Sequence, residues 1–166
     1  SRVRIRKAAA MDSLKNARVL ANYITKFHSF EQANILPFLQ KPFFAPNLNK
    51  LSISDFAHIS SDCLSLIPQT VTYLSMRYLA TYPTATQLSM LPKCLRYLTI
   101  DVKSLDGRNC DWNDETLQSF PHTLQTLRIN GPFPNLTERR HNYLPPCLQQ
   151  STILFVPPLD HLYGKK

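Results

Sequence analysis

A ten-residue phrase recurs along this chain and constrains its fold more than any other feature of the sequence. It reads apolar-Pro-x-x-Leu-x-x-Leu-x-Ile at 91–100, and it returns as IPQTVTYLSM at 67–76 and as FPHTLQTLRI at 120–129. Two looser copies lie at 44–53 and at 144–153. The first Leu or Val of each copy falls at residues 48, 71, 95, 124 and 148. Near-constant spacing of this kind predicts a repeat architecture.

Each copy has the pattern of a short strand with one buried face. Its last two apolar residues alternate with polar ones, and one copy cannot bury such a face alone, so stacked copies predict a parallel sheet over a continuous core. Proline is tolerated just before a strand because its missing N–H lies outside the ladder. The intervals of 23, 24, 29 and 24 residues fall within the range of leucine-rich repeats. We therefore predict an α/β solenoid of about five leucine-rich repeats that form a curved parallel sheet.

The first 43 residues have a different pattern. Asp12 or Ser13 is placed to cap a helix, and Ser29 with Gln32 forms a capping-box pattern for a second helix, which Pro37 ends. We expect a flexible basic leader at 1–10, a helical N-terminal cap at 11–43, repeats at 44–156, and a C-terminal cap and tail at 157–166. Apolar residues at helical spacing support the first helix: Leu14, Ala17, Leu20, Ala21, Ile24 and Phe27.

The net charge of +8 is concentrated near the two ends of the sequence. Six of the 19 basic residues lie at 2–7 and 165–166, which leaves 13 against 11 acidic residues elsewhere. A nucleic-acid-binding body normally concentrates Lys and Arg on one face, so we expect no nucleic-acid partner. No stretch approaches the roughly 18 apolar residues of a membrane span, and residues 1–11 do not form an ordinary secretory signal. We expect a cytoplasmic protein that is monomeric when alone.

No set of residues predicts catalysis or a metal site. The segment 111–115 resembles the start of a calcium loop, but it has Thr116 at the glycine position and His122 at the glutamate position, which favours a capped short helix. Cys110, His122 and Asp111 are a nominal nucleophile, base and orienter, but proximity in sequence does not establish proximity in space. The four cysteines match no zinc or disulfide spacing. We expect no enzymatic activity, no cofactor and no metal, and we expect Trp112 to be buried rather than to be an interface residue.

The Leu-Pro-x-x-Leu-x-x-Leu-x-Ile phrase, at 91–100 and in near-identical form at 120–129, resembles the repeats of secreted (type III or type IV) leucine-rich-repeat effectors of bacterial pathogens. The resemblance covers roughly residues 44–156. It implies a virulence protein that enters the host cytosol without a classical signal and binds a host protein through its repeat sheet.

The polar positions between the apolar residues of each strand define the candidate binding surface. They line up across a parallel sheet on the face away from the core, where we expect Tyr73 beside Tyr97 and Arg77 beside Asp101. The function predicted from this surface is binding of a partner protein through a concave sheet, which could also occlude an enzyme. The alternative is the substrate-recognition part of a larger ubiquitin-ligase or F-box-type adaptor. The candidate residues are Lys50, Tyr73, Ser75, Arg77, Tyr97, Thr99, Asp101, Thr126, Arg128 and Asn130.

Overall fold

A computed structural model describes the backbone of residues 2–5 and 26–29, and residues 47–54, 64–102 and 110–155. Its main feature is one seven-stranded sheet, in which every strand is parallel to the next and the spatial order follows the chain order. The predicted parallel sheet is therefore confirmed. The strands are β1 (Arg2–Ile5), β2 (Lys26–Ser29), β3 (Lys50–Ser54), β4 (Tyr73–Leu79), β5 (Tyr97–Val102), β6 (Thr126–Gly131) and β7 (Gln150–Phe155).

The apolar positions of neighbouring strands pair directly and form the core. Leu74 pairs with Leu98, and Leu98 pairs with Leu127. These three side chains are at most 1% exposed, as the sequence predicted. A second apolar row runs from Ile53 through the buried Met76, Ile100 and Ile129 to the partly buried Ile153. Two apolar residues per strand, repeated across neighbouring strands, provide a core that no single strand could build.

The N-terminal prediction is wrong where the structure describes it. Arg2–Ile5 forms β1 instead of a flexible leader, and Phe27 and Ser29 lie in β2 instead of ending one helix and capping another. Pairing with β3 decides this, because Phe27 takes the register position of Leu51, and tertiary pairing overrides local periodicity. The other positions of the predicted helices, the C-terminal cap, and the boundaries at 10/11, 43/44 and 156/157 lie outside the described residues.

A proline-initiated turn precedes each of the last four strands. The carbonyl groups of Pro68, Pro92, Pro121 and Pro145 accept hydrogen bonds from the N–H groups three residues later, at 3.0–3.1 Å. Proline fixes its own φ, so the turn is pre-set just before the ladder begins.

In three of these four turns, the residue that precedes the first apolar position binds a carbonyl of the copy before it. Thr70 Oγ1 donates to the carbonyl of Leu48, and Thr123 Oγ1 donates to the carbonyl of Leu95. Cys94 Sγ takes the same role with the carbonyl of Val71. Cys94, Cys110 and Cys147 are free thiols, and Cys63 lies outside the described residues.

Short helices form the layer behind the sheet. A five-residue α-helix, Ala85–Ser89, packs against the 3-10 helix Asp114–Ser119, which in turn packs against Glu138–Tyr143. Both Ala85–Ser89 and Asp114–Ser119 begin with a capping box.

The predicted curvature is wrong, because the sheet is not curled. An α-helix needs about 10 Å of width, whereas strands are about 4.8 Å apart, so a sheet backed by one helix per strand must bend. In the described back layer the 3-10 helices are short, so the difference in width between the two layers is smaller and the sheet is bent less.

The apolar rows predict that Leu→Ala lowers the free energy of unfolding at a buried leucine much more than at an exposed one. Leu98→Ala is expected to lower the free energy of unfolding by about 2–5 kcal/mol, because it leaves a cavity in the core. Leu154→Ala is the matched control, since Leu154 is 55% exposed and should change stability by no more than about 0.5 kcal/mol. Urea unfolding of both variants measures the difference, and equal losses would contradict the assignment of the core.

Candidate binding face

The sheet face opposite the core carries the predicted site residues, and we call it the outer face. Alternate residues of a strand lie on opposite faces, so the register sorts the outer positions into three rows across the strands. The first row is Arg2, Lys26, Lys50, Tyr73, Tyr97, Thr126 and Gln150. The second row is Arg4, His28, Ser52, Ser75, Thr99, Arg128 and Thr152. The third row includes Ser54, Arg77, Asp101, Asn130 and Leu154.

A continuous ladder of side chains forms at the centre of the first row. The ring centroids of Tyr73 and Tyr97 are 6.1 Å apart with the planes at 34°, which confirms that these tyrosines are neighbours. Lys50 Nζ lies 5.6 Å from the centroid of the Tyr73 ring. Tyr97 is 43% exposed although its ring packs on Tyr73. This arrangement presents two supported aromatic side chains and one cation to solvent.

An ion pair organises the third row. The guanidinium of Arg77 lies 3.6 Å from the Asp101 carboxylate, as predicted, and Asn130 Nδ2 donates a hydrogen bond to the same carboxylate. Asp101 therefore has two partners on the protein itself. The side chain of Arg77 remains 53% exposed. Water therefore screens the ion pair, which contributes little to the stability of the fold.

A bulge at the end of β4 exposes a residue that the sequence analysis missed. The register between β4 and β5 shifts between Met76 and Leu79, and within this bulge Tyr78 has a φ of 59°. Non-glycine residues seldom adopt this left-handed conformation, and here it accompanies a tyrosine that is 52% exposed. No glycine marks the bulge in the sequence, so no local signal predicts it.

Ser75 is the one predicted site residue that is buried in the structure. It lies on the outer face, but it is only 3% exposed, and no described residue forms a hydrogen bond with its hydroxyl oxygen. A small side chain between larger neighbours in its strand is readily covered. Ser75 therefore cannot make the direct contact that the sequence predicted for it.

The remaining predicted residues are accessible. Thr99 and Thr126 are partly exposed and Arg128 is exposed, and they lie next to Tyr97 on β5 and β6. The sequence analysis also missed the positions of Arg2, Arg4 and Lys26 in the first two rows. A spacing of 24 residues separates the paired positions 3, 27 and 51, and this spacing is the signal that could have identified β1 and β2.

The segment around Trp112 is the competing candidate, and the structure gives it a packing role. Trp112 is 2% exposed, which confirms its predicted burial, and its indole N–H donates to the carbonyl of Pro83 at 2.6 Å. Its ring packs against Phe133 at 5.2 Å and against Phe120 at 5.8 Å between centroids. This aromatic cluster fills the core beside the longest interval of the repeat.

The acidic residues after Trp112 begin a helix, as predicted, rather than a calcium loop. Asn113 Oδ1 accepts from the N–H of Thr116 at 3.0 Å and thereby caps the 3-10 helix Asp114–Ser119. Asp114 accepts hydrogen bonds from the hydroxyl and the N–H of Thr137. These hydrogen bonds hold the pKa of Asp114 below its ordinary value, with the hydroxyl as the larger cause.

Cys110 is poorly suited to act as a nucleophile. It is 4% exposed, and this burial raises the pKa of its thiol. A hydrogen bond from the Trp112 backbone lowers the same pKa, but its effect is smaller. A raised thiol pKa leaves less of the reactive thiolate. His122 instead lines a cleft of about 370 Å³ with Leu117, Phe120 and Tyr143, and Cys110 is not part of that cleft. Within the described ranges, no three His, Cys, Asp or Glu residues form a group that could hold a metal ion.

Comparisons with family models, with curated proteins and with solved structures returned no match. Among the described residues, no helix has both the length and the apolar character needed to cross a membrane.

The buried hydroxyl of Ser75 makes a testable prediction about stability. Ser75→Ala removes a buried polar group that has no hydrogen-bond partner in the described part of the chain, so the free energy of unfolding should rise by about 1 kcal/mol. Ser52→Ala is the matched control in the same row, where the side chain is partly exposed and no gain is expected. Urea unfolding measures both, and a loss of stability in Ser75→Ala would show that the hydroxyl is satisfied in solution.

The hydrogen bonds to Asp114 predict a pH-dependent contribution to stability. Because the pKa is lowered in the folded protein, the contribution is present above the ordinary value of 3.8 and is lost as the pH falls through the lowered pKa. Asp114→Asn should therefore lower the melting temperature at pH 6, and the deficit should shrink as the pH falls below 3.8. Asp111→Asn is the control, and a deficit independent of pH in Asp114→Asn would contradict the prediction.

Proposed function

We propose that this chain is a non-catalytic binding module of the leucine-rich-repeat kind, which recognises a partner protein through the outer face of its sheet. The observation that carries the proposal is the ladder of Lys50, Tyr73 and Tyr97, with Arg128 exposed beside it. Tyrosine and arginine often dominate interface energies, because each combines a large contact area with a polar group.

The setting of these side chains favours binding. They project from hydrogen-bonded strands, and Tyr73 and Tyr97 support one another before any partner arrives. Pre-positioned side chains lose less conformational entropy when a complex forms. The competing segment offers less, because Trp112 is already packed in the core and Asp114 is hydrogen-bonded to Thr137.

The strand order and the spacing of the copies support assignment to the leucine-rich-repeat class. Consecutive parallel strands lie side by side, and each begins after the same proline-initiated turn from β4 onwards. The resemblance of the phrase at 91–100 to bacterial effector repeats supports a narrower proposal. In that proposal the protein acts in the cytoplasm of a host cell, where it binds a host protein or covers the active site of an enzyme.

Two substitutions on the outer face test the proposal. Once a partner is identified by affinity capture, Tyr97→Ala and Arg128→Glu should each weaken binding by about 1–2 kcal/mol, which is roughly 5- to 30-fold in Kd. Isothermal titration calorimetry measures the affinity, and circular dichroism checks that both variants remain folded.

Glu115→Ala is the control, because Glu115 is exposed on a helix of the back layer. Its affinity should match that of the unmodified protein. Normal binding by both outer-face variants, together with weakened binding by Glu115→Ala, would place the interface on the helices instead.

A further inference from the structure

A cleft of about 370 Å³ in the back layer has an apolar floor and a polar rim. Leu117 and Phe120 line this cleft and are at most 2% exposed, so they form its floor. The rim carries exposed polar side chains, which are those of Gln118, His122 and Asn142. Ligand pockets combine a mostly apolar lining with a few polar groups, and they begin at about 300 Å³. The cleft therefore has the composition of a binding site for a short ligand.

Contacts within the protein hold the walls of the cleft in place before any ligand arrives. The cleft lies between the last two 3-10 helices of the back layer. Asp114, in the first of these helices, accepts a hydrogen bond at 2.8 Å from the N–H of Thr137, which caps the second. The ring of Phe120 in the floor packs against Trp112 with the ring centroids 5.8 Å apart. A pre-formed site of this kind loses less conformational entropy when it binds.

Four polar side chains of the lining are available to a ligand. The carboxamides of Gln118 and Asn142, the imidazole of His122 and the hydroxyl of Tyr143 form no hydrogen bond within the described part of the chain. Each of these groups can donate an N–H or an O–H. The rim therefore suits a ligand that presents several hydrogen-bond acceptors.

The charge of the lining limits the ligand further. Among the described residues that line the cleft there is no Asp, Glu, Lys or Arg. An ionic group that entered the cleft would lose hydration without gaining an opposite charge. The cleft therefore favours an uncharged ligand.

A proline-rich segment meets both requirements. In the polyproline II conformation the backbone has no internal hydrogen bonds, so its carbonyl groups remain free to accept, and proline has no N–H that needs an acceptor. Such a segment is already ordered, so it binds at a low cost in entropy and needs no ionic contact. Grooves lined by aromatic side chains bind proline-rich segments in this way, and here Phe120 and Tyr143 provide the aromatic rings.

We propose that this cleft binds an uncharged, proline-rich segment of a partner protein in the polyproline II conformation. The proline rings pack over Phe120 and Tyr143, and the backbone carbonyl groups accept hydrogen bonds from Gln118 and Asn142 on the two walls. The cleft belongs to the back layer, so the inference does not depend on the function proposed for the outer face.

The binding test uses the full chain and a fluorescein-labelled decaproline peptide. A labelled Gly-Ser repeat peptide of the same length is the flexible control. Fluorescence anisotropy should give decaproline a Kd of at most about 1 mM. The Gly-Ser peptide should bind at least about fivefold more weakly, because it loses more conformational freedom on binding.

Two double variants test the polar rim. Gln118→Ala/Asn142→Ala should weaken decaproline binding at least about fivefold, because two hydrogen bonds are lost. The matched control is Gln149→Ala/Gln150→Ala, which removes two exposed carboxamides that do not line the cleft, and its Kd should stay within about twofold. Circular dichroism checks folding. If the cleft variant does not fold, Asn142→Ala alone should weaken binding about threefold, and an unchanged Kd would overturn the inference.

Side-chain amide resonances locate the bound peptide directly. In proton–nitrogen correlation spectra, unlabelled decaproline should shift the signals of Gln118 and Asn142. The amide signal of Gln150, in the first row of the outer face, should not move.

Four results would overturn the inference. They are no saturable decaproline binding up to about 1 mM, equal affinity for the Gly-Ser peptide, equal losses in the two double variants, and peptide-induced shifts at Gln150 alone. A fifth would make the cleft a carbohydrate site, namely shifts of Gln118 and Asn142 by maltohexaose but not by decaproline. The outer face is tested separately by Tyr97→Ala and Arg128→Glu, so none of these results removes the proposed function.

Discussion

The strands β4 to β6 of this protein bury their apolar side chains against the equivalent side chains of the neighbouring strands. Leu98 is buried because Leu74 and Leu127 pair with it on either side, and Ile100 has the same relation to Met76 and Ile129. The rest of the structure depends on this in-register pairing. A shift of one residue in any strand would turn its apolar side chains to the outer face and its polar side chains into the core.

The turns protect that register. Proline sets the bend before each of the last four strands. In three of these turns, the hydroxyl or thiol of the residue before the first apolar position donates to a carbonyl of the preceding copy. The longest interval, between β5 and β6, needs additional support. The indole of Trp112 and the phenol of Tyr82 provide it by donating to the carbonyls of Pro83 and Pro132, within a cluster of packed aromatic rings.

The same register that builds the core also composes the outer face. Residues separated by 23 to 29 positions in the chain become neighbours, as Tyr73 and Tyr97 do, and residues two apart in one strand occupy adjacent rows. The outer face therefore needs no elements of its own. Its character depends on which residues occupy positions that the fold leaves unconstrained, and in the first row these are Lys50 on β3, the tyrosines of β4 and β5, and Thr126 on β6.

The repeated phrase by itself determined the parallel sheet, the buried Leu rows and the pairing of Tyr73 with Tyr97, because a period that fixes the strands also fixes which positions coincide. Only the tertiary structure decided the rest. Phe27 has helical neighbours in sequence, yet pairing with Leu51 makes it part of a strand. Ser75 is covered and Tyr78 is exposed, because burial and the bulge in β4 depend on surrounding side chains and strand twist. Those effects involve residues distant in the chain, and no local pattern encodes them.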